Sequence, residues 1–378
     1  MDVSAASEIV PGDESELAAF VADSAAARRA VRVAGGGTRL PGPAFGDGVT
    51  LTTRGLRGIV TYEPGELTLI ARAGTPVDEI EAALAAERQA LAFEPMDHRA
   101  ILGRTGTPTI GGIVAANVCG PRRVQAGAAR DHLLGVRFVD GQGRVLRNGG
   151  RVMKNVTGMD LGKLLCGSFG TLGVLTQVAL KTLPVAELRL TLAFPDVSAR
   201  QAVEIFCAAL GTPCEVSGAA FADGTAWLRI EGLAGQVAHR RDRLAALFRG
   251  RRIEVMDDAG TLSLWRDLRD VRQFAGSSEP IWRIVAKPTD APAVVDALGL
   301  LGGRASLDWG GGLIWYAGPG GADAVRRAAA SGHATLVRGG AADGPVFQPQ
   351  APAVAGLAAA MRRTFDPAGI LNPGLMGS

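Results

Sequence analysis

Apolar positions first recur at helical spacing, with Leu17, Phe20, Val21 and the pair Ser24-Ala25 on one face, which predicts a helix over 14–30. The pattern then tightens to the alternation and β-branching of strands, at 31–34, 49–53, 58–62 and 67–73. Thr75-Pro76-Val77-Asp78 opens a second helix. Thr75 serves as its cap, Pro76 takes the first helical position where a missing N–H costs nothing, and Asp78 stands at the capping-box position near the positive end. Residues 93–130 break the rhythm with glycine and proline, as a segment that wraps a ligand does inside a compact domain. Next, 133–140 and 145–148 flank Gly141-Gln142-Gly143 as a hairpin, 160–166 reads as a short helix, and 171–181 as a buried strand ending before Pro184.

Past Pro184 the alternation resumes. Strands are predicted at 188–192, 226–231, 282–286 and 312–317, and helices at 198–210, 238–248 and 292–301. A helix over 354–364 leads into Phe365-Asp366-Pro367-Ala368-Gly369-Ile370-Leu371-Asn372-Pro373-Gly374, which is turn chemistry that fixes a path. The sum is an α+β chain of 378 residues, long enough for two lobes that each bury a core.

Composition narrows the function. Gly 52 is about twice the usual share and implies many tight turns or close approaches to a ligand. The formal charge of +3 is dispersed among carboxylates, which argues against nucleic acid as a partner. Cys119, Cys166, Cys207 and Cys214 include no C-x-x-C pair, and His98, His132, His239 and His333 show no metal-ligand spacing, so no zinc or iron-sulfur site is expected from this chain alone. The first eleven residues lack a basic segment followed by an apolar one, and no run approaches the ~18 apolar residues of a membrane span. A cytoplasmic protein with reduced thiols is therefore expected.

Three glycine-rich segments carry the candidate chemistry. Gly35-Gly36-Gly37-Thr38 follows a strand, and its bare N–H groups can converge on an anion or simply make a turn. It is no dinucleotide fingerprint of the Rossmann kind, because Pro41-Gly42-Pro43 follows where a helix would open. Thr109-Ile110-Gly111-Gly112-Ile113-Val114-Ala115-Ala116-Asn117 offers backbone to a flat cofactor, or equally allows close helix packing. The third segment starts at Met153-Lys154-Asn155-Val156-Thr157-Gly158 and ends in Gly167-Ser168-Phe169-Gly170-Thr171-Leu172-Gly173-Val174, a turn that hands over to a buried strand.

In this order and spacing the three segments resemble the FAD-binding domain of the vanillyl-alcohol oxidase/p-cresol methylhydroxylase superfamily. Gly120-Pro121-Arg122-Arg123, Gly332-His333-Ala334-Thr335-Leu336 and the tail 366–374 bring the likeness closer to the family of glycolate oxidase FAD-binding subunits. The resemblance implies a two-part FAD-binding domain over 1–185, a smaller α+β cap over 186–345, and a tail, 346–378, that returns to the FAD domain. It also implies residue roles. Gly35, Gly36, Gly37, Thr38, Arg39 and Leu40 would hold the pyrophosphate. Glu94, Pro95, Thr109, Gly111, Gly112, Ala115 and Asn117 would lie along the ribityl chain and flavin. Gly170, Gly173 and Val174 would wrap the adenosine side, and Asn372 would reach the flavin from the tail.

Phe169 agrees with the glycolate oxidase family where broader relatives carry Glu, whereas Met159 and Leu375 depart from residues usual in the superfamily. No histidine stands in or beside the Gly35 loop, where relatives with histidyl-linked flavin have one, so FAD held without a covalent link is expected. The histidine and carboxylate metal cluster of stand-alone 2-hydroxy-acid dehydrogenases has no counterpart. Oxidising a 2-hydroxy acid needs a cation for the carboxylate and a base for the hydroxyl proton. Arg283 is the candidate cation; a surface ion pair is the competing reading. His333 is a candidate base or a capping residue, and Trp309, Trp315 and Tyr316 either line the flavin or fill a core.

By this resemblance the chain is the FAD subunit of a complex oxidising glycolate to glyoxylate, with a second flavoprotein and an iron-sulfur subunit as partners. Any contact with the inner membrane would then come through those partners. Two alternatives stay open: a self-sufficient D-2-hydroxy-acid dehydrogenase, acting for example on D-lactate, and a flavin-binding scaffold or electron relay without catalysis.

Overall fold

The computed structural model describes residues 8–39, 48–150 and 158–377. Leu40 and the run Met153-Lys154-Asn155-Val156-Thr157 lie outside the described residues. The chain opens with a parallel three-stranded sheet in the order Glu8–Ile9, Val49–Thr52, Val31–Ala34. The helix packed beside it is Glu14–Ala26, capped by Asp13, whose carboxylate accepts from the Ser15 and Glu16 N–H groups. It stops short of residue 30 because Arg28 takes a left-handed φ of 50°, which an α-helix cannot continue through.

An antiparallel five-stranded sheet follows in the order Ile59–Glu63, Thr68–Arg72, Val174–Lys181, Leu133–Val139, Val145–Gly149. The expected hairpin closes at Asp140, whose carboxylate accepts from the N–H groups of Gln142 and Arg144. The second helix is Val77–Ala86 with Pro76 as its cap residue. Thr75 does not cap it; its hydroxyl turns back to the Arg72 carbonyl at 2.7 Å and accepts from Gly58 N–H.

Among the described residues Gln89–Ala90 pairs with Leu183–Pro184, and the other strands form one antiparallel eight-stranded sheet, ordered Glu254–Met256, Leu188–Phe194, Thr225–Gly232, Gly218–Ala222, Arg304–Asp308, Leu313–Ala317, Ile281–Val285, His333–Arg338. Gly218–Ala222, Arg304–Asp308 and His333–Arg338 carry no strand signal strong enough to be read alone; their neighbours recruit them. This sheet outnumbers the five-stranded one, so the lobe expected to be smaller holds the larger sheet.

Alternation on its strands separates two cores. Trp282, Ile284, Ile314 and Tyr316 face helices Ala199–Leu210 and Ala291–Gly299 in a core of the lobe's own. Ile281, Leu313, Trp315 and Ala317 face the other way, into a core shared with Leu69, Phe93, Ile110 and Val178 of the first half. The two halves are thus joined by continuous apolar packing. The tail closes the molecule: Ile370 and Leu371 pack against Leu17, Val31 and Leu51, and Leu371 bridges to Val31.

Candidate functional site

A cleft opens between the first two sheets. Of the residues read from sequence, Gly35, Gly36, Gly37, Thr38, Arg39, Thr109, Gly111, Gly112, Ala115, Gly170 and Gly173 line it. Three distant stretches of chain are brought together there.

The glycines divide by what an added side chain would meet. A Cβ on Gly36 would lie 1.5 Å from the Thr107 carbonyl oxygen, and one on Gly35 would lie 2.3 Å from Thr109 Oγ1. Gly36 lets two loops touch backbone to backbone, and Gly35 leaves room for the Thr109 hydroxyl. Gly111 packs on the five-stranded sheet, 2.6 Å from Ala73 Cβ for an added Cβ, and its N–H donates to the Ala73 carbonyl. Gly112, one residue on, has only Thr109 Oγ1 within reach at 3.3 Å and otherwise faces the cleft. The second motif therefore serves close packing and cleft lining at adjacent positions.

The other named residues sit around the cleft rather than in it. Glu94, with a left-handed φ of 49°, accepts from Arg122 N–H at 2.8 Å and holds Arg229 through both carboxylate oxygens at 2.8 and 3.1 Å. Arg229 also meets Glu231 at 2.6 Å, so Glu94 ties the first half to the second lobe. Asn117 Oδ1 accepts from Arg130 N–H at 3.2 Å. Pro95 and Val174 are buried, Val174 in the core beneath the helix Glu14–Ala26. Asn372 is fully buried: Oδ1 accepts from Val33 N–H at 2.8 Å and Nδ2 donates to the Phe169 carbonyl at 2.7 Å. Its amide pins the tail to two walls of the cleft.

Electrostatics mark one end. Among the described residues the lining includes no carboxylate, and Arg39 is the guanidinium in it, donating to the Ala116 carbonyl at 2.9 Å. Burial, then the like charge of Arg283, pushes Arg39 down to about 9. Arg283 stands on the face of its strand that turns toward the first half, with its guanidinium 5.1 Å from the ring centroid of Trp309. Arg123 covers the same ring at 4.4 Å and donates to Cys119 Sγ at 3.5 Å. Among the described residues none of these three arginines has a carboxylate partner. Burial pushes the Cys119 thiol up, so it supplies no counter-charge.

His98 is the site residue that sequence reading passed over. It is buried, lines the cleft, and is held well below the ordinary histidine value by burial and then by Arg39, with Arg283 adding to the effect. Only its place in the glycine- and proline-rich segment hinted at it. The other candidates lie elsewhere. His333 is exposed on the edge strand, Trp309 donates to the Gly120 carbonyl at 3.0 Å, and Trp315 and Tyr316 point into opposite cores. None of the three aromatics lines the cleft.

Comparison with known proteins agrees with this geometry. A family model described as an FAD binding domain matches residues 5–149. Glycolate oxidase subunit GlcE of Escherichia coli is 38% identical over 332 residues, covering 87% of either chain. D-lactate dehydrogenase of Archaeoglobus fulgidus is 30% identical over 189 residues, covering 50% of this chain and 41% of that one. Subunit GlcD of Bacillus subtilis is 31% identical over 187 residues, covering 49% and 38%. A solved alkyldihydroxyacetonephosphate synthase superposes with a TM-score of 0.69 over 98% of this chain and 77% of that one, at 15% identity, a likeness of fold alone. The cleft suits such a cofactor. Its glycine walls admit a flat group against backbone, and the described lining sets no carboxylate against a pyrophosphate.

Proposed function

Since the chain belongs to the family of glycolate oxidase subunit GlcE and is an FAD-dependent oxidoreductase, we propose that it oxidises a 2-hydroxy acid, glycolate first, within a multi-subunit glycolate oxidase. Electrons then leave through a second flavoprotein and an iron-sulfur subunit. The observation that carries the reading is the trio Arg39, Arg123 and Arg283 gathered beside the cleft without a carboxylate partner among the described residues. Partly buried cations without counter-ions cost several kcal/mol, and a bound anion offsets that cost.

In this reading the backbone at Gly37, Thr38 and Gly112 holds FAD without a covalent link, Arg283 with Arg39 grips the substrate carboxylate, and His98 takes the hydroxyl proton. The chemistry the cofactor supplies is acceptance of the hydride from the substrate's α-carbon. His98 is neutral and so free to accept a proton. Its low basicity stems in part from Arg39 and Arg283, and a substrate carboxylate that neutralises them raises it. Base and substrate are thereby coupled.

The test is anaerobic titration of the purified FAD-loaded chain with glycolate, alone and with its partner subunits, read by the loss of flavin absorbance. Arg283→Met is expected to raise the glycolate concentration needed by more than about tenfold, one charge-assisted contact being worth ~1.5–3 kcal/mol. His98→Gln is expected to slow reduction about 100-fold at saturation. Acid should release all of the flavin. A chain whose FAD is reduced by no hydroxy acid in either setting would refute the catalytic reading and leave the relay role; reduction by D-lactate but not glycolate would make it the self-sufficient dehydrogenase.

A further inference from the structure

The helix Pro352–Phe365 departs from the rule that apolar helix surface is covered. From Pro352 to Met361 it carries no charged residue, and the whole helix carries no Asp or Glu. Of its fourteen residues only Phe365 is buried. Val354 is 51% exposed and Leu357 71%. A helix apolar on every side belongs in an interior, and an exposed patch of this kind marks an interface. Beneath it runs a groove of about 1270 Å³, whose walls include Leu172, Phe347, Ala358 and Met361.

The charges at the groove are one-sided. Arg362 donates to the Leu375 carbonyl at 2.6 Å, and Arg363 has no carboxylate or hydrogen-bond partner among the described residues. The carboxylate present, Asp366, is turned inward and accepts from the N–H groups of Ile370 and Leu371. A second copy of this helix would bring apolar surface but no acid to face the arginines.

We propose that this helix and groove are the docking site for another subunit of the glycolate oxidase complex, which lays an apolar helix into the groove and sets acidic residues against Arg362 and Arg363. The proposal rests on membership of that complex. The site lies at the tail, on the far side of the Phe169 turn from the Gly35 loop, so a docked subunit would leave the cleft's glycine walls free.

The test is co-expression of the tagged full chain with the flavoprotein and iron-sulfur subunits of its complex, read by co-elution on size exclusion. Leu357→Asp with Val354→Asp is expected to lower co-elution at least tenfold, and Arg363→Glu severalfold, while each isolated chain keeps its FAD absorbance and melting temperature. Full assembly of the double variant would overturn the docking site and leave the complex intact as a reading. A wild-type chain that joins neither subunit would overturn both. Loss of FAD or early melting of the isolated variant would place the helix in this chain's own core, and a wild-type homodimer that the double variant splits would make a second copy the occupant; either overturns the proposal.

Discussion

A Cβ on Gly112 would meet only the Thr109 hydroxyl, at 3.3 Å, whereas one on its neighbour Gly111 would press on Ala73. Gly112→Asp is expected to leave the fold intact and to set a carboxylate against a bound anion, costing about 3 kcal/mol of FAD affinity, or roughly 100-fold. FAD content per folded chain after gel filtration checks it, and normal content would move the cofactor off this helix. Glu94 makes the opposite case. Its carboxylate is spent on Arg229 and Arg122, so Glu94→Gln is expected to lower stability by about 3 kcal/mol through the half-unpaired Arg229, with little change in the flavin spectrum. Urea unfolding beside an absorption spectrum separates the two effects; a shifted flavin band with unchanged stability would put Glu94 back at the cofactor.

Among the elements, the tail turn is the one whose place bears on the cofactor. Asp366 caps the turn through the Ile370 and Leu371 N–H groups, Val31 N–H donates to the Ile370 carbonyl, and Asn372 spans Val33 and Phe169. The strand Val31–Ala34 feeds the Gly35 loop, and Phe169 precedes Gly170 on the opposite wall. Asn372→Ala removes both bonds and leaves the Val33 N–H and Phe169 carbonyl unpaired in a buried place, at a cost of about 2 kcal/mol. Both stability and FAD retention are expected to fall in Asn372→Ala, and further still on deletion of 366–378. A truncated chain with full FAD occupancy would detach the tail from the site.

At the scale of the molecule, ionisable groups are concentrated where the halves meet. Asp308 ends a strand of the eight-stranded sheet, accepts from Trp309 N–H at 2.7 Å, and is pushed up to about 8 by burial, with Glu94 adding to the effect. Unfolded, the same carboxyl ionises near 3.8. Between these values the unfolded chain has released the proton that the folded chain keeps, so this group's contribution to stability falls as pH rises from about 4 to about 8. Asp308→Asn keeps an oxygen for the Trp309 N–H and removes the titration. Its melting temperature is expected to exceed wild type by several degrees at pH 8 and to match it near pH 4, at about 2–4 °C per kcal/mol. Thermal melts at the two pH values check the sign; equal shifts at both would show that Asp308 does not titrate there.

What the chain's order alone determined is its local backbone chemistry. The glycine runs at 35–37, 111–112 and 167–173, the hairpin around Asp140 and the alternating strands at 31–34 and 282–286 are set by consecutive residues, and they carried the fold class and the cofactor. The short strand Gly218–Ala222 was not legible, because its alanines and its glycine have little strand preference of their own and pair only when Thr225–Gly232 lies beside them. The same limit applies to the site. Arg39, His98, Arg123 and Arg283 meet only because strand alternation turns Arg283 toward the first half and a shared apolar core holds that face in place. Which glycine packs and which lines the cleft, and that Asn372 serves the walls rather than the opening, depend on contacts tens to hundreds of residues apart, and those are decided by tertiary packing.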